Sequence, residues 1–181
     1  DLSVHTDSEL LTMMRDAGCA EVLIGFESPT EAGLDGVELK RNWKRDRLPV
    51  YREAVETIQR HGIRVNACFV LGLDGQPPEV FDDVYQFVDQ VAPFDVQITY
   101  PTPFPGTPMY EALKQQGRLT HDGQWNRCTL FDINFVPTDM THDELRAGFF
   151  DLAERLYRED FTQHRRERFR QQWRGELAGA N

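Results

Sequence analysis

The sequence predicts an α/β fold: parallel βα repeats over residues 1–116, then a C-terminal helical extension over 117–181. Three observations carry this. Short apolar runs of strand length alternate with segments of helical period. Gly, Pro and capping residues punctuate the alternation. After Gly117 the rhythm stops, and amphipathic helices follow.

Taken in order, "DLSVH" reads as the tail of a strand, with Leu2 and Val4 alternating. A domain seldom opens on a half-strand, which points to residues upstream of Asp1. Asp7 or Ser8 caps a helix with Leu10, Leu11, Met14 and Ala17 on its apolar face, and Gly18 stops it. "EVLIGFE" is a strand. "RLPVYREAVETIQRHG" is a helix with Val50, Ala54, Val55 and Ile58 inward, ended by Gly62. "IRVNACFVLG" is the next strand. "PPEVFDDVYQFVDQV" opens on prolines, which suit a first helical turn, and places Val80, Phe81, Val84, Phe87, Val88 and Val91 on one face. "DVQITY" is a strand and "PMYEALKQQG" a short helix. The strands are mostly apolar, as in a sheet covered on both faces. Residues 117–137 carry Trp125, Phe131 and Phe135 without a period and read as an ordered excursion packed on the sheet. "THDEL" is a capping box, with Thr141 at the cap and Glu144 three residues on. Leu145, Phe149, Leu152 and Leu156 continue as a helix, and a second helix spans about 160–173.

The net charge of −10 argues against bulk binding to nucleic acid or an anionic membrane. The basic "HRRERFRQQWR" reads as a solvated helix face, and the segment "ELKRNWKRDR" as solvated surface by default. No apolar run approaches the ~20 residues that span a bilayer. Cys19, Cys68 and Cys128 are far apart and make neither a disulfide framework nor a zinc pattern, which fits a reducing cytoplasm. No CxxC or CxxxCxxC run is present, and no nucleophile–base pair or metal set stands out.

Parallel α/β folds bind ligands beyond the C-terminal ends of their strands. Polar and conformationally special residues collect at these exits: His5 and Asp7, Glu27 and Ser28, Gly72 to Gly75, and Tyr100 with "PTPFPGTP". Position alone leaves two readings for Glu27, a site residue or an ordinary strand end. Gly72 and Gly75 form no phosphate loop, since GxGxxG and GxxxxGK[ST] are both absent.

"LLTMMRDAGCAEVLIGFESP", the following Lys40-Arg41-Asn42, "GIRVNACFVLGLDG", "FPGTPMYEALKQQGRL" and "MTHDEL" together resemble the later part of radical S-adenosylmethionine enzymes. The similar group usually carries a cobalamin-binding domain ahead of the radical domain. The resemblance implies the second half of a partial TIM-like (βα)6 barrel, with this chain's strands as the third to sixth. It implies a parent iron–sulfur oxidoreductase or methyltransferase that reductively cleaves S-adenosylmethionine. The cofactors would be S-adenosylmethionine and a [4Fe-4S] cluster, with cobalamin as a further candidate. The cluster loop is not in this chain, so the segment by itself is expected to be inactive. By the same resemblance, Glu27 would hold the ribose of S-adenosylmethionine, next to Ser28, and Lys40 would pair with its carboxylate. Asn66 and Cys68 fall where a second ribose contact is usual, and Val70 and Pro103 would flank the adenine. Asp74-Gly75-Gln76 departs from the Pro-Gly-Glu of many relatives.

The expected partner is a small-molecule substrate, and a homodimer could form through an uncovered sheet edge. Two rival readings are a half-barrel metal or phosphate enzyme using Glu27, Asp74 and the basic segment, and a non-catalytic module docking a partner through Arg165, Arg166 and Trp173.

Overall fold

The structure is a computed structural model that describes residues 2–35, 37 and 42–179. Its centre is a three-stranded parallel sheet in the order β1 (Glu21–Glu27), β2 (Arg64–Val70), β3 (Asp95–Thr99). α1 (Ser8–Asp16) precedes β1. Two short helices, α2 (Glu31–Leu34) and α3 (Trp43–Arg47), lead into α4 (Tyr51–Arg60), which connects β1 to β2. α5 (Val80–Val91) connects β2 to β3. α6 (Pro108–Gln115) follows β3, and α7 (His142–Tyr157) and α8 (Glu159–Gly179) complete the chain.

The α/β alternation expected from the sequence is present, with one strand fewer. Leu2–Thr6 is a 3-10 helix, not a strand tail. Local hydrogen bonds replace a ladder: Asp7 N–H donates to the Val4 carbonyl, and the Thr6 hydroxyl to Ser3. Leu2, 4% exposed, still enters the core, so an apolar alternation of two residues fitted either geometry. Asp7 is the cap of α1, accepting from Leu10 N–H at 2.9 Å. Of the face assigned to α1, Leu11 is buried, whereas Leu10 and Ala17 are exposed. In α4 the inward set is Tyr51, Ala54, Val55 and Ile58; Val50 belongs to the 3-10 turn before it.

The sheet is covered on one face only. α4 and α5 pack on the same side, in one core with Ile24, Phe26, Val65, Ala67, Phe69, Val96 and Ile98. Glu21, Leu23, Gly25, Arg64, Asn66, Cys68, Val70, Asp95 and Gln97 alternate with them and stay exposed or half-buried. The expectation of strands covered on both faces therefore fails here, and the uncovered face is the polar one. On the far side of β3, the Tyr157 hydroxyl donates to the Val96 carbonyl at 3.2 Å. It stands in for a neighbouring strand on that edge.

α8 crosses the N-terminal end of the sheet. Gln59 joins the layers there, accepting from Phe94 N–H (2.8 Å) and donating to the Ala92 carbonyl (3.2 Å) and to Gln172 (3.2 Å). The basic stretch is solvated in part, with His164, Arg170 and Arg174 exposed, while three of its arginines turn toward the protein. Arg165, 1% exposed, donates to the Leu156 carbonyl at the end of α7 and lies 5.0 Å from the Phe161 ring. Arg166 meets Asp95 at 3.1 Å, and Arg168 donates to the Asp89 carbonyl. Helix C-terminal carbonyls and an aromatic face offset part of the desolvation, but Arg165 Nε and Arg166 Nε stay buried without a partner among the described residues, and burial pulls the Arg165 guanidinium below its usual value.

At the opposite end, Gln76 braces the exit of β2. Its side chain is 1% exposed, accepts from Gly72 N–H (2.8 Å) and Leu73 N–H (3.0 Å), and donates to the Val70 carbonyl (3.1 Å). Gly72 has φ of +99°, and a Cβ there would lie 2.8 Å from Leu145 and 3.1 Å from Phe135. The loop is thus bent for, and packed by, the C-terminal extension. Gln76→Ala should orphan three buried backbone groups and destabilise the protein by about 3 kcal/mol in denaturant unfolding. Gln76→Glu should recover little of this, because a carboxylate cannot donate to Val70 O. A loss below about 1 kcal/mol for both would refute the bracing role.

Candidate functional site

β1 does not end as a plain strand. The ladder pairs Gly25 with Cys68 and then Glu27 with Phe69, so Phe26 is an extra residue, a bulge. Ser28 N–H donates to the Phe26 carbonyl at 2.8 Å with Glu27 between them at φ of +64°. This is a tight three-residue turn with a non-glycine residue in the left-handed region, a rare and strained geometry. Bulges and strained residues of this type often re-aim side chains at functional sites.

The turn brings the Glu27 carboxylate back along the strand. Gly25 leaves the room: a Cβ there would sit 2.5 Å from Glu27 Oε1 and 3.4 Å from Lys44 Nζ. Lys44, on α3, donates to Glu27 Oε1 at 2.5 Å, and the two side chains are 24% and 21% exposed. The Tyr51 hydroxyl fixes α3 against the bulge, within reach of the Lys44 carbonyl (3.2 Å) and the Phe26 carbonyl (3.4 Å). Arg45 ties α3 to α2 through Glu31 (3.1 Å) and Asp35 (3.2 Å). Within the described part of the basic segment, Lys44 and Arg45 are therefore ion-paired rather than simply solvated.

The other sequence-predicted residues divide. Asn66, Cys68 and Val70 alternate along β2 on the uncovered face, with Cys68 in register with Gly25 and Gln97. Asn66 Oδ1 is buried without a hydrogen-bond partner among the described residues. Burial, and then the Glu27 charge, push the Cys68 thiol up to about 11, so it is protonated at neutral pH and no nucleophile. Ser28 is wholly buried, its hydroxyl engaged with Thr30 at 3.1 Å under α2. Pro103 is buried in the loop after β3. Lys40 lies outside the described residues. Sequence reasoning missed Lys44, because the basic segment offered several cations and only the turn at Glu27 selects among them. A usable signal was present in Gly25, a glycine inside a strand, which often marks close approach.

A groove of 390 Å³ opens beyond the exits of β2 and β3, between the loop at Gly72–Asp74, Pro101, α6 and Phe135. Arg118 and Asp74 meet at its rim through two hydrogen bonds, Nη1 to Oδ2 at 2.9 Å and Nη2 to Oδ1 at 2.5 Å. Thr138 adds a third bond to Asp74 at 3.1 Å, and Gly75 N–H donates to Asp139 at 2.7 Å. Hydrogen bonding to Arg118 is the main cause that holds the Asp74 carboxyl below the usual carboxylate range. No group of three or more His, Cys, Asp or Glu side chains converges to hold a metal among the described residues. None of the described helices is long and apolar enough to cross a membrane.

Residues 107–179 match a family described as Domain of unknown function (DUF4070). The match opens at Thr107, the cap of α6. The chain is 30% identical over 156 residues to a hopanoid C-2 methylase of Rhodopseudomonas palustris, covering 86% of this chain and 28% of that protein. It is 28% identical to a bacteriochlorophyllide d C-12(1)-methyltransferase of Chlorobaculum tepidum, covering 83% of this chain and 31% of that protein. It is 26% identical to an anaerobic magnesium-protoporphyrin IX monomethyl ester cyclase of Cereibacter sphaeroides, covering 95% of this chain and 26% of that protein. The chain thus spans less than a third of the length of these relatives.

A carboxylate whose folded value is lowered contributes stability that is present above its unfolded value, ~4, and is lost as pH falls through the lowered one. The Asp74–Arg118 pair should therefore support the loop at neutral pH and release it in acid. Asp74→Asn should lower the free energy of unfolding at pH 7 by at most about 1 kcal/mol, since Asp74 is 62% exposed. The difference should vanish at the acid end of a pH series. An Asp74→Asn deficit that persists undiminished in acid would remove the charge from the explanation.

Proposed function

We propose that this chain, which belongs with the radical S-adenosylmethionine proteins its motifs resemble, contributes the ribose-binding side of an enzyme that cleaves S-adenosylmethionine reductively. The reaction class is methyl transfer or a related oxidoreduction, in line with relatives named as a methylase, a methyltransferase and a cyclase. The observation that carries the reading is the half-buried Glu27 carboxylate, turned back at φ of +64° just after the Phe26 bulge and held by Lys44.

The residues present fit the nucleoside end of such a cofactor. Glu27 is an acceptor-only group suited to a vicinal diol. Asn66 Oδ1 is an unpartnered acceptor on the same sheet face. Cys68 and Val70 supply an apolar surface beside them, and Lys44 supplies a cation. Bound S-adenosylmethionine would contribute a methyl group or, on reduction, a hydrogen-abstracting fragment. Glu27 would orient the ribose and so fix where that reactive end points. The cysteines of this chain do not fit an iron–sulfur cluster, since Cys19, Cys68 and Cys128 do not converge with one another or with other ligating side chains among the described residues. A [4Fe-4S] cluster, and cobalamin if it is used, would be held by residues outside this chain.

The test is Glu27→Ala beside Glu27→Gln in the full-length protein, with S-adenosylmethionine affinity read by equilibrium binding. Losing hydrogen bonds to a charged acceptor, ~1.5–3 kcal/mol, should weaken affinity about 10- to 100-fold in the alanine variant. Glutamine, which keeps one acceptor, should fall between. Unchanged affinity and unchanged cleavage in Glu27→Ala would overturn the assignment.

A further inference from the structure

The geometry points to the groove beyond β2 and β3 as the site for an uncharged, fused-ring portion of the substrate, inserted against α6. Its walls are Leu73, Pro101, Pro108, Met109, Leu113 and Phe135. Its volume of 390 Å³ is about two and a half times the ~150 Å³ cavity that takes up one benzene ring. A portion of two to three rings fills it, and the rest of a larger molecule extends through the open side.

Charge decides the class of occupant. The cation on the rim, Arg118, is engaged: it holds Asp74 by two hydrogen bonds and donates to the Val136 carbonyl at 2.8 Å and to Gln116 at 2.9 Å. The two acids on the lining are paired as well, Asp74 with Arg118 and Asp35 with Arg45 at 3.2 Å. An anionic group entering the groove would find no unpaired cation among the described lining residues and would have to break one of these ion pairs. An apolar ring displaces water from apolar walls at no such penalty. The walls are also fixed in advance. Gly72 and Leu73 are held by Gln76, Phe135 packs against Gly72, and α6 is capped by Thr107, which accepts from Tyr110 N–H. The relatives named above act on hopanoids, bacteriochlorophyllides and a magnesium porphyrin ester, which share a large ring system. That the ring belongs to the substrate rests on the function proposed above; that the groove takes an uncharged ring does not.

N-phenyl-1-naphthylamine is a neutral three-ring probe whose fluorescence rises in apolar sites, and 8-anilino-1-naphthalenesulfonate is its anionic counterpart. Both are titrated against the full-length protein, the variants Ala112→Trp and Leu23→Ser, and Arg118→Gln. Ala112 lies on the exposed side of α6 facing the groove, so tryptophan fills the space without entering the core. The neutral probe should bind, and Ala112→Trp should weaken it at least tenfold with the circular dichroism spectrum unchanged. Leu23→Ser, on the uncovered sheet face, should leave that binding as it was. Equal loss in both variants would mean general surface adsorption and overturns the assignment. So does tighter binding of the sulfonate that Arg118→Gln abolishes, which would make this an anion site. Dimerisation on concentration with exclusion of the probe would put a second copy in the groove and overturns it too. Glu27→Ala should keep neutral-probe affinity whatever it does to S-adenosylmethionine, so the two readings fail separately.

Discussion

The position of Phe26 is the constraint on which the site depends. Its ring is 1% exposed and packs edge-on to Tyr51 at 4.7 Å, stacked on Phe69 at 5.9 Å and tilted against Phe87 at 5.7 Å. Burying such a ring is worth about 3–5 kcal/mol when measured by its removal. A non-glycine residue in a sparsely populated backbone region costs about 1–3 kcal/mol. The aromatic cluster therefore outweighs the strain at Glu27. Because Phe26 takes an extra place in the ladder, the chain must turn within a single residue, and that residue is Glu27. Tyr51 couples the two results, since its ring belongs to the cluster while its hydroxyl faces the carbonyls of Phe26 and Lys44.

The two ends of the sheet are built differently. At the N-terminal end, α8 closes the layers through Gln59, Arg166, Phe169 and Trp173, and buried arginine is accepted because it caps α7 and lies on a ring. At the C-terminal end, glycines, tight turns and one buried amide shape loops around open space. Stability concentrates where the strands begin, and conformational restraint where they end. The C-terminal extension serves both ends: α8 at one, and Phe135, Thr138, Asp139 and Leu145 against the Gly72–Gly75 loop at the other.

Elements with a clear period and clear caps were legible in the sequence. β1, β2, β3, α5 and the Thr141–Glu144 capping box stand where the pattern puts them. Leu2–Thr6 was not legible, because two alternating apolar residues satisfy a strand and a 3-10 turn equally. The same limit applied to the basic C-terminal stretch, where composition shows charge but not that Arg165 is buried. At the site, Glu27 could be singled out by its place at a strand exit. Its turn could not, since a bulge arises from how Phe26 packs across three elements. Lys44 became visible only through that turn. The groove escaped the sequence for a related reason: its walls come from segments that are distant in the chain, Leu73, Pro101, α6 and Phe135, and no local pattern joins them.

Lys44 does not compete with a diol for Glu27. A carboxylate offers about four lone-pair positions, and Lys44 occupies one, on Oε1. Two hydroxyl donors can therefore add to Glu27 while the ion pair stays closed. Such an arrangement leaves no half-buried charge uncompensated at any stage, which matters because an unpaired charge at this depth would cost more than a hydroxyl contact returns. It also explains why a strained turn and a bare Gly25 are kept together. The turn sets the carboxylate over Gly25, where the missing Cβ leaves room for Oε1 and the Lys44 ammonium, and Oε2 lies outside that ion pair.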